Sequence, residues 1–125
     1  MQILATKAFV RWMRKNNVPE HDLMTAVHEM MDGLIDADLG GHVFKKRVAL
    51  QGRGKRSGAR SIVATRLESR WIYLYGFEKS ERTNIHVNEL NSLQRLAKVL
   101  LNLTAEEVEA EVDDGDLVEL GGKEE

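Results

Sequence analysis

The chain has 125 residues, 42% hydrophobic and 30% charged, with a formal net charge of −2 and no cysteine. That is the length of one domain with a real core, and without cysteine there are no disulfides or thiolate metal sites and nothing against a reducing compartment. No apolar run approaches the ~20 residues of a membrane helix, and the opening MQILATKAFVRW lacks the basic-then-apolar order of a signal peptide, so a cytoplasmic protein is expected.

MQIL is either a short strand or a packed end. Ala5, Ala8, Phe9 and Trp12 then recur at helical spacing, with Lys7, Arg11, Arg14 and Lys15 off that stripe. Asn16 and Asn17 break this helix. Pro19 suits the first turn of a second helix, where its missing N–H would have no partner. Leu23, Ala26, Val27, Met30 and Leu34 form the second stripe, and Gly33 falls where a left-handed cap would end it. LIDADLGG passes from helix to sheet. HVFKKRVAL, ARSIVATRL and RWIYLYGFEK then read as three consecutive strands, the first two joined by the loop QGRGKRSG and the last two by the tighter ESR. Alternation with period two puts Lys45 and Arg47 on one face of the first strand with Val43 and Ala49. Phe44, Lys46, Val48 and Leu50 take the other. In the third strand Trp71, Tyr73, Tyr75 and Phe77 share a face opposite Ile72, Leu74 and Gly76, and apolar residues on both sides predict a strand covered on both.

KSERTNI leads into a third long helix over His86–Asn102, with Leu90, Leu93, Ala97, Leu100 and Leu101 as its buried stripe. Thr104 with Glu107 matches a capping box for a short helix, and LVEL is a candidate edge strand. From Leu101 onward there are ten acids and one Lys. The expected organisation is a domain of 1–103 carrying an acidic extension, 104–125, that the core does without. The expected class is α+β: two N-terminal helices packed on a twisted antiparallel sheet of three to four strands, followed by a C-terminal helix.

Charge is segregated along this chain. Lys45–Arg70 holds nine Lys or Arg against the single acid Glu68, so the stretch carries +8 and the remainder −10. Positive charge that repels itself on a small sheet is tolerated chiefly where something negative binds. A phosphate backbone is the natural candidate, since it dominates nucleic-acid affinity. Gly52, Gly54 and Gly58 leave the loop backbone accessible beside Arg53, Lys55 and Arg56. Arg60 follows at once, and with Lys45 and Arg47 on the neighbouring strand it gathers three fixed cations about one groove. GRGKRSG is not a Walker loop, because the spacing and the following helix are missing. The aromatic row reads mainly as core, with Phe77, near the strand end, the candidate to stack on an unpaired base. His21 and His28 read as surface residues and His42 is uninformative. His86, at a helix start, is the candidate for proton transfer. The four histidines show no metal spacing, and neither metal nor cofactor is expected.

The passages DADLGGHVFKKRVALQGRGKRSGARSIVA and LYGFEKSERTNI resemble the HigB/RelE branch of the RelE-like toxins of bacterial toxin–antitoxin systems, over about residues 5–102. Members of that branch carry a similar GKxGG-x-R loop and a YGFxKxER-like third strand. The resemblance implies a ribosome-dependent mRNA endoribonuclease that uses the mRNA's own 2′-hydroxyl as nucleophile, needs no metal and is neutralised by a tightly bound antitoxin, itself expected to be a helix-turn-helix DNA-binding protein. By motif, Lys45 and Arg47 match the basic pair of the first sheet strand and Arg60 the arginine after the glycine loop. Lys55 and Arg56 fit the RNA-contacting cations of the loop, and Lys79 the basic residue after the third strand. Ser80 stands where the prototype is basic, and His86 falls near its functional tyrosine.

The residues alone are consistent with that chemistry. Cleavage through a 2′-hydroxyl needs a base, charge neutralisation at phosphorus and a proton for the departing 5′-oxygen. Lys45 is the candidate base and His86 the candidate acid. Arg47 and Arg60 are electrostatic, since guanidinium stays protonated. Arg53, Lys55, Arg56, Phe77 and Lys79 complete the set as RNA-binding residues. A gyrase poison of the ParE type is the alternative within the superfamily, and a noncatalytic RNA-binding module or co-repressor the alternative outside it. The basic groove favours RNA cleavage over gyrase binding but does not separate cleavage from RNA binding.

Overall fold

The computed structural model describes residues 1–50, 54–82 and 84–121, with the backbone alone for 54–57. Gln2–Thr6 opens as a strand (β1) whose Ile3 and Ala5 enter one core while Leu4 enters another. Thr6 ends it and begins the first helix (α1, Lys7–Lys15), its hydroxyl accepting the Phe9 N–H at 3.1 Å. Because Ala5 belongs to the strand, the buried side of α1 is Phe9, Val10 and Met13, with Ala8 exposed. The second helix (α2, Glu20–Met31) starts directly after Pro19 and buries Leu23, Ala26, Val27 and Met30. It ends before Gly33, whose φ of +95° is the left-handed turn anticipated there, and Leu34 lies exposed beyond it.

Four strands follow: β2 (Ala37–Gly40), β3 (Val43–Leu50), β4 (Gly54–Thr65) and β5 (Arg70–Glu78). The glycine loop is therefore shorter than the sequence indicates, because Gly54–Gly58 already belong to β4. The third helix (α3, Val87–Leu101) is followed by α4 (Ala105–Asp113) and β6 (Leu117–Glu119). Thr104 and Glu107 form the expected box, each backbone N–H donating to the other's side chain, at 2.8 and 3.1 Å.

The α+β class holds, but the sheet differs from expectation. It has six strands in the order β2-β3-β4-β5-β1-β6, and β1 runs parallel to β5. The two added strands at that edge come from opposite ends of the chain, a pairing that no local pattern announces. The stretch after Leu103, set apart in the sequence as an extension, supplies α4, the edge strand β6 and the buried residues Val108, Leu117 and Leu120.

Two apolar layers flank the sheet. One holds Phe9, Met13, Leu23, Val27, Met30, Val48, Trp71 and Tyr73 beneath α1 and α2. The other holds Leu4, Val43, Ile62, Ile72, Phe77, Ala97, Leu101 and Val108 beneath α3 and α4. In the first layer the Tyr73 hydroxyl donates to the Leu23 carbonyl at 2.6 Å, and burial pushes its pKa well up, so it remains a neutral donor. No helix among the described residues is long and apolar enough to cross a membrane.

Candidate nucleic-acid interface

The aromatic row of β5 does not lie on one face. The β4–β5 register shifts between Ile62 and Val63, so that Ile62 pairs with Tyr75 and Val63 with Tyr73, leaving Leu74 as the extra residue of a bulge. Trp71 and Tyr73 consequently point beneath α1 and α2, while Tyr75 and Phe77 turn toward α3. Gly76 takes the α1 side, where a Cβ would come within 2.5 Å of the Trp12 ring. The bulge thus brings two aromatic rings to the face that carries the cations.

On that face two rows cross three strands. Arg47 of β3 lies opposite Arg60 of β4, which lies opposite Phe77 of β5; next to them Lys45, Ile62 and Tyr75 form a second row. Directly opposed residues have Cβ atoms roughly 4.5–5.5 Å apart, and like charges placed so repel. Asp36 relieves Arg47, accepting from its Nε at 3.1 Å and from its backbone N–H. Arg60 has less support. It is 9% exposed, its Nη1 donates to the Ala59 carbonyl at 3.3 Å, and it makes no ion pair among the described residues. A buried guanidinium without a carboxylate is costly, and an incoming anion would offset that cost.

The far wall is built by Arg82 and α3. Arg82 spans the gap: its Nε donates to the Asn84 carbonyl at 2.9 Å, its Nη1 to the Tyr75 hydroxyl at 3.3 Å and to Glu89 Oε2 at 3.0 Å, and its Nη2 pairs with Glu89 Oε1. Its guanidinium carbon sits 5.7 Å from the centre of the Phe77 ring. Glu89 also accepts the His86 backbone N–H at 2.9 Å. The hydrogen bonds from Arg82, then that from His86, hold the Glu89 carboxyl down at about 2.

The remaining positive charge is dispersed. Lys46 lies on the opposite face, 4% exposed, bonded to Glu29 and to the Leu34 carbonyl, each at 2.9 Å. Arg66 and Arg70 serve the C-terminal end of α3: Arg70 Nη1 donates to the carbonyls of Leu100 and Leu103 at 3.1 and 2.8 Å, and Arg66 Nη1 to that of Leu101 at 2.8 Å. Three of the nine cations are thus structural.

Residues 1–120 match the family model described as the RelE toxin of the RelE/RelB toxin–antitoxin system. The chain belongs to the RelE toxin family. It is therefore the toxin of a toxin–antitoxin pair, and an antitoxin is its partner. No curated protein matches the chain.

In this RelE-family toxin, Lys45, Arg47 and Arg60 come together on one face as their spacing indicated. His86 caps α3 and joins the Arg82–Glu89 pair through its backbone, with its ring exposed. Lys79 lies exposed just past β5, its N–H donating to the Gly58 carbonyl at 3.2 Å. Arg53 lies outside the described residues, as do the side chains of Lys55 and Arg56. Phe77 needs correction: at 2% exposure, with Arg82 over its ring, it has no face to offer a base. The half-buried ring on this wall is Tyr75. Sequence reasoning passed over Arg82 and Glu89. The signal was there, since His86, Glu89 and Arg82 frame a helix start, but it reads as ordinary capping.

Proposed function

We propose that this toxin is an mRNA endoribonuclease that cleaves on the ribosome through the substrate's 2′-hydroxyl. The observation that carries the reading is the opposed Arg47–Arg60 pair, with Arg60 buried and without an ion pair among the described residues. A phosphodiester seated there neutralises two guanidiniums that otherwise repel. As the 2′-oxygen attacks phosphorus, charge on the non-bridging oxygens grows, and fixed donors that bind the growing charge lower the barrier. The 2′-hydroxyl passes its proton to Lys45, which acts as base through its neutral amine. The P–O5′ bond breaks, His86 gives the departing oxygen its proton, and a 2′,3′-cyclic phosphate remains. Arg53, Lys55, Arg56 and Lys79 hold the flanking RNA or rRNA. The ribosome supplies substrate geometry, so weak cleavage of free RNA accords with this scheme.

The test is single-turnover cleavage of a ribosome-bound message. Arg60→Ala is expected to slow it roughly 100- to 1,000-fold, as loss of one preorganised electrostatic donor does. Arg60→Lys should recover only part, because an ammonium lacks the planar fork. Circular dichroism matching the unaltered protein confirms that both variants fold. Equal rates in folded Arg60→Ala would remove Arg60 from the site.

A further inference from the structure

We propose that the pocket between β5 and α3 lined by Tyr75, Glu89, Ser92 and Leu93 holds one nucleobase of the RNA, the base adjoining the phosphate at Arg47 and Arg60, and so biases which sequences are cut. The proposal rests on the RNA-cleaving reading above for its substrate class. The pocket is an open cleft of about 220 Å³. Drug-sized ligands occupy sites of roughly 300–1,000 Å³, so this one suits a single flat ring.

Its walls fit such a ring. Tyr75 supplies an aromatic surface held in place by the Arg82 bond to its hydroxyl, and Leu93 supplies an aliphatic one. Any base lying against them gains stacking, since every base has a π-face. The rim is polar. A carboxylate has about four acceptor sites and no donor. Glu89 spends two on Oε1, for Arg82 and the His86 N–H, and one on Oε2, for Arg82 again. About one site on Oε2 is left for a base, and only an N–H can use it. Beside it the Ser92 hydroxyl accepts from Arg95 at 3.3 Å and still has its own hydrogen to donate. A carboxylate acceptor next to a hydroxyl donor fits the N–H beside an acceptor that every base presents, N3–H and O4 of uracil included. The bias between bases therefore comes from stacking, which a purine's larger ring strengthens.

The position also fits. Tyr75 pairs with Ile62, two residues along β4 from Arg60. With about 3.3 Å of rise per residue and about 4.8 Å between strands, the two backbones stand about 8 Å apart. That is within the span of one nucleotide from phosphate to base.

The experiment titrates purified toxin with adenosine and uridine 3′-monophosphates and follows residue-resolved NMR shifts, a readout that needs no catalysis. Shifts at Tyr75, Ser92 and Leu93 are expected, at lower concentration for the adenosine nucleotide. Ser92→Phe, at an exposed rim position, fills the pocket without entering the core and should weaken adenosine binding roughly 5- to 150-fold, the range of one lost base–aromatic stack. Absence of shifts at those residues, or shifts that persist unchanged in Ser92→Phe, would overturn the pocket. Intact shifts in a protein that cuts no message would remove the nuclease reading and leave the pocket standing.

Discussion

Ending the chain after Leu103 removes α4 and β6, and the structure gives the size of the loss. Val108, Leu117 and Leu120 are 2%, 2% and 4% exposed. Burying such a side chain contributes about 1.5–3 kcal/mol, so the three together contribute roughly 5–9 kcal/mol, and less against a realistic unfolded chain that already hides some apolar surface. The β6–β1 ladder goes with them, including the Leu120 N–H bond to the Ile3 carbonyl at 2.8 Å, as does the Gly121 N–H bond to Glu20, also 2.8 Å. Domains of this size have about 5–15 kcal/mol in total. The 1–103 fragment is therefore expected to be marginal or unfolded, contrary to the expectation from its sequence that the acidic segment is dispensable. Far-ultraviolet circular dichroism through a thermal ramp and a urea series is the assay. A cooperative transition within a few degrees of the full chain would refute the reasoning and restore 1–103 as a self-sufficient domain.

Glu29→Ala strands the buried Lys46 ammonium and should cost about 3 kcal/mol, the low end for a broken buried pair because Glu29 is partly exposed; Glu29→Ala with Lys46→Met should recover most of it in urea unfolding. Glu89 titrates in the folded protein at about 2, below its ordinary 4.5. A depressed folded value stabilises above the unfolded pKa and is lost as pH falls through the folded one. The stability gap between the unaltered protein and Glu89→Gln should accordingly shrink between about pH 4.5 and about pH 2, which urea midpoints across that range would reveal. Antitoxin association, measured by stopped flow, should slow with added salt if acidic residues of the partner approach the Lys45–Arg47–Arg60 face; a salt-independent rate would exclude steering there.

Much of the fold is legible in the sequence because its cues are local. Gly33, the Thr104–Glu107 box and the α2 stripe each state their element within a few residues. What is illegible is non-local or breaks a period. One extra residue at Leu74 reverses the facing of Tyr75 and Phe77, and no count with period two anticipates it. The parallel β1–β5 pairing joins residues 68 apart in the chain. The basic cluster was visible as composition, but composition does not say that Lys46 is buried under α2 or that Arg66 and Arg70 bind the end of α3. Lys45, Arg47 and Arg60 were recoverable because strand alternation and one short connection suffice to bring them together. Arg82 was not, since its role depends on Glu89 and Tyr75 meeting it from two other elements.

The central claim is tested most directly by mapping transcript 5′ ends genome-wide within minutes of inducing the toxin, beside an equally expressed and folded Arg60→Ala variant. New ends inside translated messages are expected for the unaltered toxin, and their near absence in the variant. Growth arrest with transcripts intact would contradict it and promote the gyrase reading.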